Sequence, residues 1–207
     1  MILYSITDRT QLQGSVVSFV ECAARAGVDW VQIREKDLSD TELYELAREC
    51  AARISSMSTL LLVNGRPDIA RAAGAHGVHL PSCSLSPASV RRIVPREFLV
   101  GVSCHDLAEV QCAEGEGADF AVFGPVFDTP SKRRFGPPVG VSELARACGA
   151  VSIPVLALGG VTIENASSCM DAGAGGLAGI GIFQASESLE SSVRELRALG
   201  KTGSVAE

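Results

Sequence analysis

Residues 31 to 37 read Val-Gln-Ile-Arg-Glu-Lys-Asp, and this stretch separates an apolar face from a polar one. In a β-strand, successive side chains point to opposite sides, so the valine and the isoleucine can pack against a covering helix. Gln32, Arg34 and Lys36 then lie together on the opposite face. Burying two cations without a counter-charge costs roughly several kcal/mol per ion, so the stretch predicts an anion such as a phosphate beside them. An exposed edge strand with a solvated charged face is the alternative.

Apolar runs of this kind recur along the chain and alternate with segments of helical spacing, at intervals of roughly 25 residues. The predicted strands are 2–6, 29–33, 59–63, 77–80, 98–102, 119–123, 153–158 and 175–180. The predicted helices are 13–27, 40–55, 86–94, 106–117, 141–149, 163–173 and 188–199. Such alternation is typical of parallel strands joined by crossover helices, and about eight units in this length predict an α/β fold, a (β/α)8 TIM barrel. The alternative is a doubly wound open sheet, but the turn after its first strand would be rich in glycine, and here it reads Thr7-Asp8-Arg9-Thr10.

Composition limits the classes of protein that the chain can represent. The 207 residues predict a single domain over residues 1–199, followed by a polar tail at 200–207. The chain has no apolar run long enough for a membrane span and no signal-peptide pattern, so we expect a cytoplasmic location. A net charge of −6 argues against a nucleic-acid binder. Seven scattered cysteines without a CxxC pair predict neither a disulfide framework nor a zinc site, and the sequence leaves open whether the chain forms a homo-oligomer.

Polar and glycine residues follow the predicted strands, where a barrel builds its active site. The residues at these strand ends include Gln32, Arg34, Lys36, Asn64, His79, Ser103, His105, Gly159, Gly160, Gly179, Ile180 and Gly181. The glycines after the seventh and eighth strands predict a phosphate site, because glycine lets backbone N–H groups approach a ligand closely. Tight turns with no ligand are the alternative interpretation.

The loop at residues 124–140 is the longest connection and contains Thr129, Ser131 and Lys132. Two hydroxyls and a cation beside prolines and glycines suit a loop that closes over a charged ligand, although a solvated basic loop would have the same composition. A histidine inside an apolar strand, such as His79, is more often a core residue than a catalyst. His105 lies at a strand end and is the stronger catalytic candidate.

Taken in order, these motifs resemble the thiamine phosphate synthase and thiazole tautomerase family. The resemblance rests on the Gln-x-Arg-x-Lys strand, the Asn64 region, Gly-Val-His-Leu, Gly-Val-Ser-Cys-His, Phe-Gly-Pro-Val-Phe-Asp-Thr-Pro-Ser-Lys, and the two glycine-rich loops near the end. It implies a barrel that, in a synthase, joins a pyrimidine pyrophosphate to a thiazole phosphate with Mg²⁺.

The synthase resemblance also implies roles for the residues that match its motifs. It implies that the pyrophosphate is held by Gln32, Arg34, Lys36, Asn64 and Lys132. Ser103 would lie by the pyrimidine, and Thr129 and Ser131 by the thiazole. Gly160 and the loop 179–181 would bind the thiazole phosphate.

The chain departs from the synthase pattern at the metal ligands. Synthases of the family resemble one another in an aspartate after the asparagine and a second one after the fourth strand, where this chain has Gly65 and Pro81-Ser82. Carboxylate oxygens are the ligands that Mg²⁺ prefers, so their loss should weaken metal and pyrophosphate binding. The same segments resemble the tautomerase branch, which aromatises a thiazole carboxylate phosphate by proton transfer and needs no metal. Tautomerases of the family carry a histidine after the Phe-Gly of the sixth strand, where this chain has Pro125.

Three functions are consistent with this pattern. We expect first a metal-independent thiazole tautomerase with no cofactor, a small phosphorylated thiazole as its substrate, and His105 or His79 as its acid-base. The second is a synthase that uses Mg²⁺. The third is a barrel that binds a thiazole or thiamine phosphate without catalysis.

Overall fold

Eight parallel strands form a closed barrel in the order β1 to β8, each paired with its neighbours in sequence and β8 paired with β1. The computed structural model describes residues 1–129, 137–185 and 188–202, with side chains to residue 199. The strands are β1 (Ile2–Ile6), β2 (Trp30–Ile33), β3 (Leu60–Asn64), β4 (Gly77–Leu80), β5 (Leu99–Cys104), β6 (Phe120–Phe123), β7 (Val155–Leu158) and β8 (Gly176–Gly179). The predicted (β/α)8 barrel is therefore confirmed.

Helices connect the strands and surround the barrel. They are α1 (Val16–Ala26), α2 (Asp40–Arg53), α3 (Pro67–Ala72), α4 (Pro87–Arg91), α5 (Leu107–Gly115), α6 (Gly140–Ala150), α7 (Ala166–Asp171), α8 (Gly181–Gln184) and α9 (Leu189–Thr202), with a 3-10 helix at Arg9–Gln11. Ser39 is the N-cap of α2 and forms a reciprocal capping box with Glu42, which satisfies two N–H groups at the helix start. None of the helices within the described residues is long and apolar enough to cross a membrane.

Two short helices, α3 and α8, were not among the predicted elements. Each has too few residues for a helical period to show in the sequence, with six in α3 and four in α8. The last helix reaches Thr202, which is beyond the predicted domain boundary at 199. Residues 203–207 of the predicted tail lie outside the described residues, and the division into one domain and a tail stays a prediction.

The alternation within β2 creates two separate apolar layers. Val31 and Ile33 are fully buried in the layer between the barrel and its helices. Inside the barrel, a smaller cluster consists of Tyr4, Ile6, Leu62, Phe120, Val122, Leu156 and Ala178. Gln32 belongs to the inner face by the same alternation, as the sequence predicts. The barrel interior is thus filled with apolar side chains below a polar upper layer.

Candidate functional site

Four polar side chains form a continuous row across the carboxyl ends of β2 to β5. Gln32 Nε2 donates a hydrogen bond of 2.9 Å to Asn64 Oδ1. Asn64 is the register partner of His79 on the next strand, and His79 Nε2 lies 2.8 Å from Ser103 Oγ. The structure therefore brings together four residues that the sequence predicts for the site.

Two buried polar atoms in this row and one next to it have no hydrogen-bond partner within the described residues. They are Gln32 Oε1, His79 Nδ1 and the Tyr4 hydroxyl. The Tyr4 ring lies 5.9 Å from the His79 ring and contacts Phe120 edge to face, so it forms the apolar floor below the row. Buried donors and acceptors of this kind are normally satisfied, so they are suited to the polar edge of a bound molecule.

His79 is held in its neutral form by its surroundings. Burial, and secondarily the nearby positive charge of Arg34, lower the pKa of His79 from 6.5 to about 3. The side chain can therefore donate or accept one hydrogen bond at each ring nitrogen near pH 7, but it is poorly suited to carry a proton as a general acid. As a catalytic residue His79 stays a prediction, and its geometry favours a hydrogen-bonding role.

His105 lies apart from the His79 and Ser103 pair, in the exposed connection between β5 and α5. Its Nδ1 atom is 2.5 Å from the carbonyl oxygen of Gly124, which can only accept, so Nδ1 carries the proton. Its backbone N–H donates to the Glu109 carboxylate at 2.6 Å. The ring thereby joins the loops that follow β5 and β6. The role of His105 as the acid-base stays a prediction.

The loop after β2 brings two cations to the mouth of the barrel. Arg34 is close enough to His79 for its charge to affect the pKa of that imidazole. Lys36 lines an open cavity of about 380 Å³ together with Asn64 and Arg66. The amide, the lysine and the arginine of the predicted anion site therefore do lie at one end of the barrel.

Carboxylates at the same cavity are already engaged by protein groups. Arg66 forms ion pairs with Asp40 and with Asp68, the latter at 2.7 Å. The hydrogen bond from its guanidinium is the main reason that the pKa of Asp68 is lowered. Glu35 accepts hydrogen bonds from the Thr7 hydroxyl and the Arg9 backbone. These contacts leave the carboxylates around the cavity committed to internal partners.

The described residues do not fit a magnesium ion held by the protein. Within residues 1–129, 137–185 and 188–202, no three side chains of His, Cys, Asp or Glu cluster as metal ligands. Gly65 and Pro81 occupy the positions that follow β3 and β4, and neither side chain has an oxygen ligand to offer.

The double glycine after β7 lies directly against the loop that follows β6. A Cβ atom on Gly159 would lie 2.5 Å from Pro125 Cβ, and one on Gly160 would lie 2.6 Å from the carbonyl oxygen of Asp128. Phe127 N–H also donates to the Gly159 carbonyl at 2.9 Å. These glycines let the loop after β6 pack closely, and their role as a phosphate site stays a prediction.

The remaining predicted site residues lie near the end of β8 or beyond β6. Gly179 is the last residue of β8, and Ile180 joins it to α8, which begins at Gly181. A Cβ atom on Gly181 would meet nothing within 4 Å. Their role as a phosphate site stays a prediction. Thr129 is half-buried in the loop after β6, whereas Ser131 and Lys132 lie outside the described residues.

Sequence reasoning missed Tyr4, Thr7 and Glu35. The alternation applied to β2 also applies to β1, and it would have directed Tyr4 into the barrel. Thr7 follows β1 and Glu35 follows β2 directly, but a threonine and a glutamate at strand ends have no distinctive pattern. Only their contact in three dimensions identifies them.

Comparison with known proteins identifies relatives over nearly the whole chain. A family model described as thiamine monophosphate synthase matches residues 3–183. A protein of Aquifex aeolicus, provisionally named thiamine-phosphate synthase 2, is 45% identical over 87% of this chain and 96% of its own length. Thiamine-phosphate synthase of Syntrophomonas wolfei is 36% identical over 94% of both chains. Thiamine phosphate pyrophosphorylase from Pyrococcus furiosus superposes with a TM-score of 0.87 at 30% identity and covers 97% of this chain and 96% of its own. The resemblance drawn from the sequence is confirmed, and the chain belongs to the thiamine monophosphate synthase family.

Proposed function

We propose that this protein is a thiamine-phosphate synthase, which joins a hydroxymethylpyrimidine pyrophosphate to a thiazole phosphate. The observation that carries the proposal is the placement of Arg34 and Lys36 beside the polar row of Gln32, Asn64, His79 and Ser103. The names of the relatives in Syntrophomonas wolfei and Pyrococcus furiosus support the same activity.

The two cations would stabilise the leaving group. In the reaction the bond from the pyrimidine methylene carbon to pyrophosphate oxygen breaks, and the thiazole nitrogen forms a new bond to that carbon. Negative charge develops on the departing pyrophosphate, where Arg34 and Lys36 are suited to receive it. The carboxamide groups of Gln32 and Asn64 can hold neighbouring polar atoms.

The neutral state of His79 suits this chemistry. Positive charge develops on the pyrimidine methylene as the pyrophosphate leaves, and a charged imidazolium nearby would oppose it. Burial keeps His79 uncharged near pH 7, so the His79 and Ser103 pair can hydrogen-bond to the substrate without that penalty.

The test is a coupling assay with both synthase substrates, in which thiamine phosphate and released pyrophosphate are quantified. The assay contains Mg²⁺, because pyrophosphate itself binds the ion in solution. We expect Arg34→Met to lower kcat/KM by about 100-fold or more, which is typical of losing one group that stabilises developing charge. Arg48→Met is the matched control, because Arg48 is exposed on α2 and pairs only with Glu45 within the described residues. Absence of product from the wild-type protein would refute the proposal.

A thiazole tautomerase is the second candidate, favoured by Gly65 and Pro81 at the positions where synthases of the family resemble one another in aspartates. Proton removal and return need no metal, and His105, an exposed residue whose Nδ1 is bonded to Gly124 O, is the candidate acid-base. The test is incubation with the exocyclic thiazole carboxylate phosphate, followed by the ultraviolet change on aromatisation. Conversion that is lost in His105→Ala would establish the tautomerase. Binding of the compound without conversion, together with no coupling activity, would indicate a binding-only barrel.

A further inference from the structure

A buried carboxylate outside the polar row joins the loops that follow β1 and β2. Glu35 is only 7% exposed, although it lies between the two cations of the candidate site in sequence. Its Oε1 accepts a hydrogen bond of 2.5 Å from the Thr7 hydroxyl, and its Oε2 accepts one of 3.1 Å from the Arg9 N–H. Both carboxylate oxygens are therefore directed toward the loop after β1.

Thr7 links this carboxylate to the backbone of Arg34. The Thr7 hydroxyl has a single proton, and it donates this proton to Glu35 Oε1. The hydroxyl oxygen is then free to accept, and the Arg34 N–H donates to it at 3.0 Å. Thr7 is itself fixed, because it is fully buried and its N–H donates to the Gln32 carbonyl at 2.9 Å. One side chain thus fixes the backbone at the point where Arg34 leaves the strand.

A second contact joins the segment after β1 to the loop after β2, at Asp37. The Arg9 guanidinium pairs with both oxygens of Asp37, at 2.7 and 2.8 Å. This pair is exposed, so it contributes roughly 1 kcal/mol or less. The buried contact of Thr7 and Glu35 is the stronger restraint, because its hydrogen bond is short, at 2.5 Å, and is shielded from water.

We propose that Thr7 and Glu35 are positioning residues that hold Arg34 and Lys36 in the geometry that binds a diphosphate. This inference rests on the synthase function proposed above, and it assigns the task of fixing the two cations to side chains whose polar atoms are bonded to the protein itself. A flexible loop would have to be ordered when the anion binds, and prior ordering removes that cost from the affinity. The ordered loop requires the Glu35 carboxylate to be buried, which costs desolvation free energy when the protein folds.

The test compares Thr7→Val, which removes the hydroxyl at nearly constant volume, with Thr7→Ser, which keeps it. Thr59→Val is the matched control, because Thr59 is equally buried and its hydroxyl donates at 2.7 Å to Val28 O at the opposite end of the barrel.

Binding of inorganic pyrophosphate is measured by calorimetry. We expect the Kd to rise about 10-fold in Thr7→Val and to stay within about 2-fold of wild type in Thr7→Ser and Thr59→Val. In the coupling assay, Thr7→Val should raise KM for the pyrimidine pyrophosphate and leave KM for the thiazole phosphate unchanged.

Backbone hydrogen exchange of residues 34–37 gives a readout that does not depend on any ligand. We expect it to be faster in Thr7→Val than in Thr59→Val. Unchanged exchange, or an equal loss of pyrophosphate binding in Thr59→Val, would overturn the positioning role. If wild-type protein binds no pyrophosphate and forms no product, the proposed function fails, and the exchange comparison still decides whether Thr7 orders the loop.

Discussion

At the scale of single residues, His79 illustrates how burial determines chemistry. Its ring lies on the floor formed by Tyr4 and Phe120, and among the described residues its one hydrogen-bond partner is Ser103. Charging the ring there would lose hydration without gaining a counter-charge, and Arg34 nearby adds repulsion. A histidine in this environment is a neutral hydrogen-bonding group, whatever the pH of the assay between about 5 and 8.

The same shift makes stability depend on pH. The unfolded chain binds a proton at His79 below about pH 6.5, whereas the folded chain does not until about pH 3. Folding stability should therefore be complete above pH 6.5 and fall as the pH decreases, by about 2 kcal/mol at pH 5 from this residue. Urea unfolding of wild type and His79→Gln between pH 8 and pH 5 measures it, and the variant should have the flatter profile.

His76 provides the control for that measurement. Partial desolvation lowers its pKa as well, but His76 is an exposed residue just before β4. His76→Gln should therefore flatten the profile less than His79→Gln does. Equal profiles for wild type and His79→Gln would mean that the imidazole titrates normally in the folded protein.

At the scale of elements, the loops after β6 and β7 form one packed unit. Val126 N–H donates to the Leu158 carbonyl and Phe127 N–H to the Gly159 carbonyl, so the two loops continue the pairing of their strands. Gly159 and Gly160, directly after β7, permit this approach, and Gly160 also has a φ of +64°. Substitution at Gly160 should disturb both the backbone and the packing.

Gly160→Ala and Gly74→Ala separate these two effects. Gly74 has a φ of +74° with nothing within 4 Å of a Cβ atom, so alanine there should cost about 1–2 kcal/mol for the left-handed backbone alone. At Gly160 the new methyl would also contact Phe127 and Asp128, which should add about 1–3 kcal/mol. Denaturant unfolding of both variants checks the difference. Equal losses would show that the loop after β6 moves away without cost.

Elements were easier to predict from the sequence than their contacts. The eight strands and the alternation at Gln32 follow from local periodicity, which a sequence displays directly. The joining of Thr7 to Glu35 and the packing of Gly160 against Asp128 depend on loops that are distant in sequence. His105 was predicted as a catalyst from its place at a strand end, but the bond from its ring to Gly124 O depends on the neighbouring strand. Periodicity contains no information on such contacts.

At the scale of the whole molecule, two arginines hold outer helices to the amino-terminal end of the barrel. On α4, Arg91 donates to the carbonyls of Phe98 and Gly117 and pairs with Asp119. On α9, Arg197 donates to the carbonyls of Met1 and Gly27 and pairs with Asp29. Each partner aspartate also accepts a backbone N–H from the preceding strand. The last long helix is thereby joined to the first two strands, at the end opposite the candidate site.

Arg197→Met should destabilise the folded barrel without changing its chemistry. The substitution keeps an apolar stem but leaves the Met1 and Gly27 carbonyls and the half-buried Asp29 carboxylate without their guanidinium donor, which should cost about 1–3 kcal/mol. For a chain of this size, that corresponds to a fall in Tm of roughly 2–10 °C, measurable by calorimetry. Arg194→Met, at an exposed position on the same helix, should change stability by about 0.5 kcal/mol or less. Because the contacts lie at the end opposite the site, the KM values of Arg197→Met at a temperature where it is folded should match those of the wild type. A Tm equal to that of Arg194→Met would show that α9 stays attached through its apolar face alone.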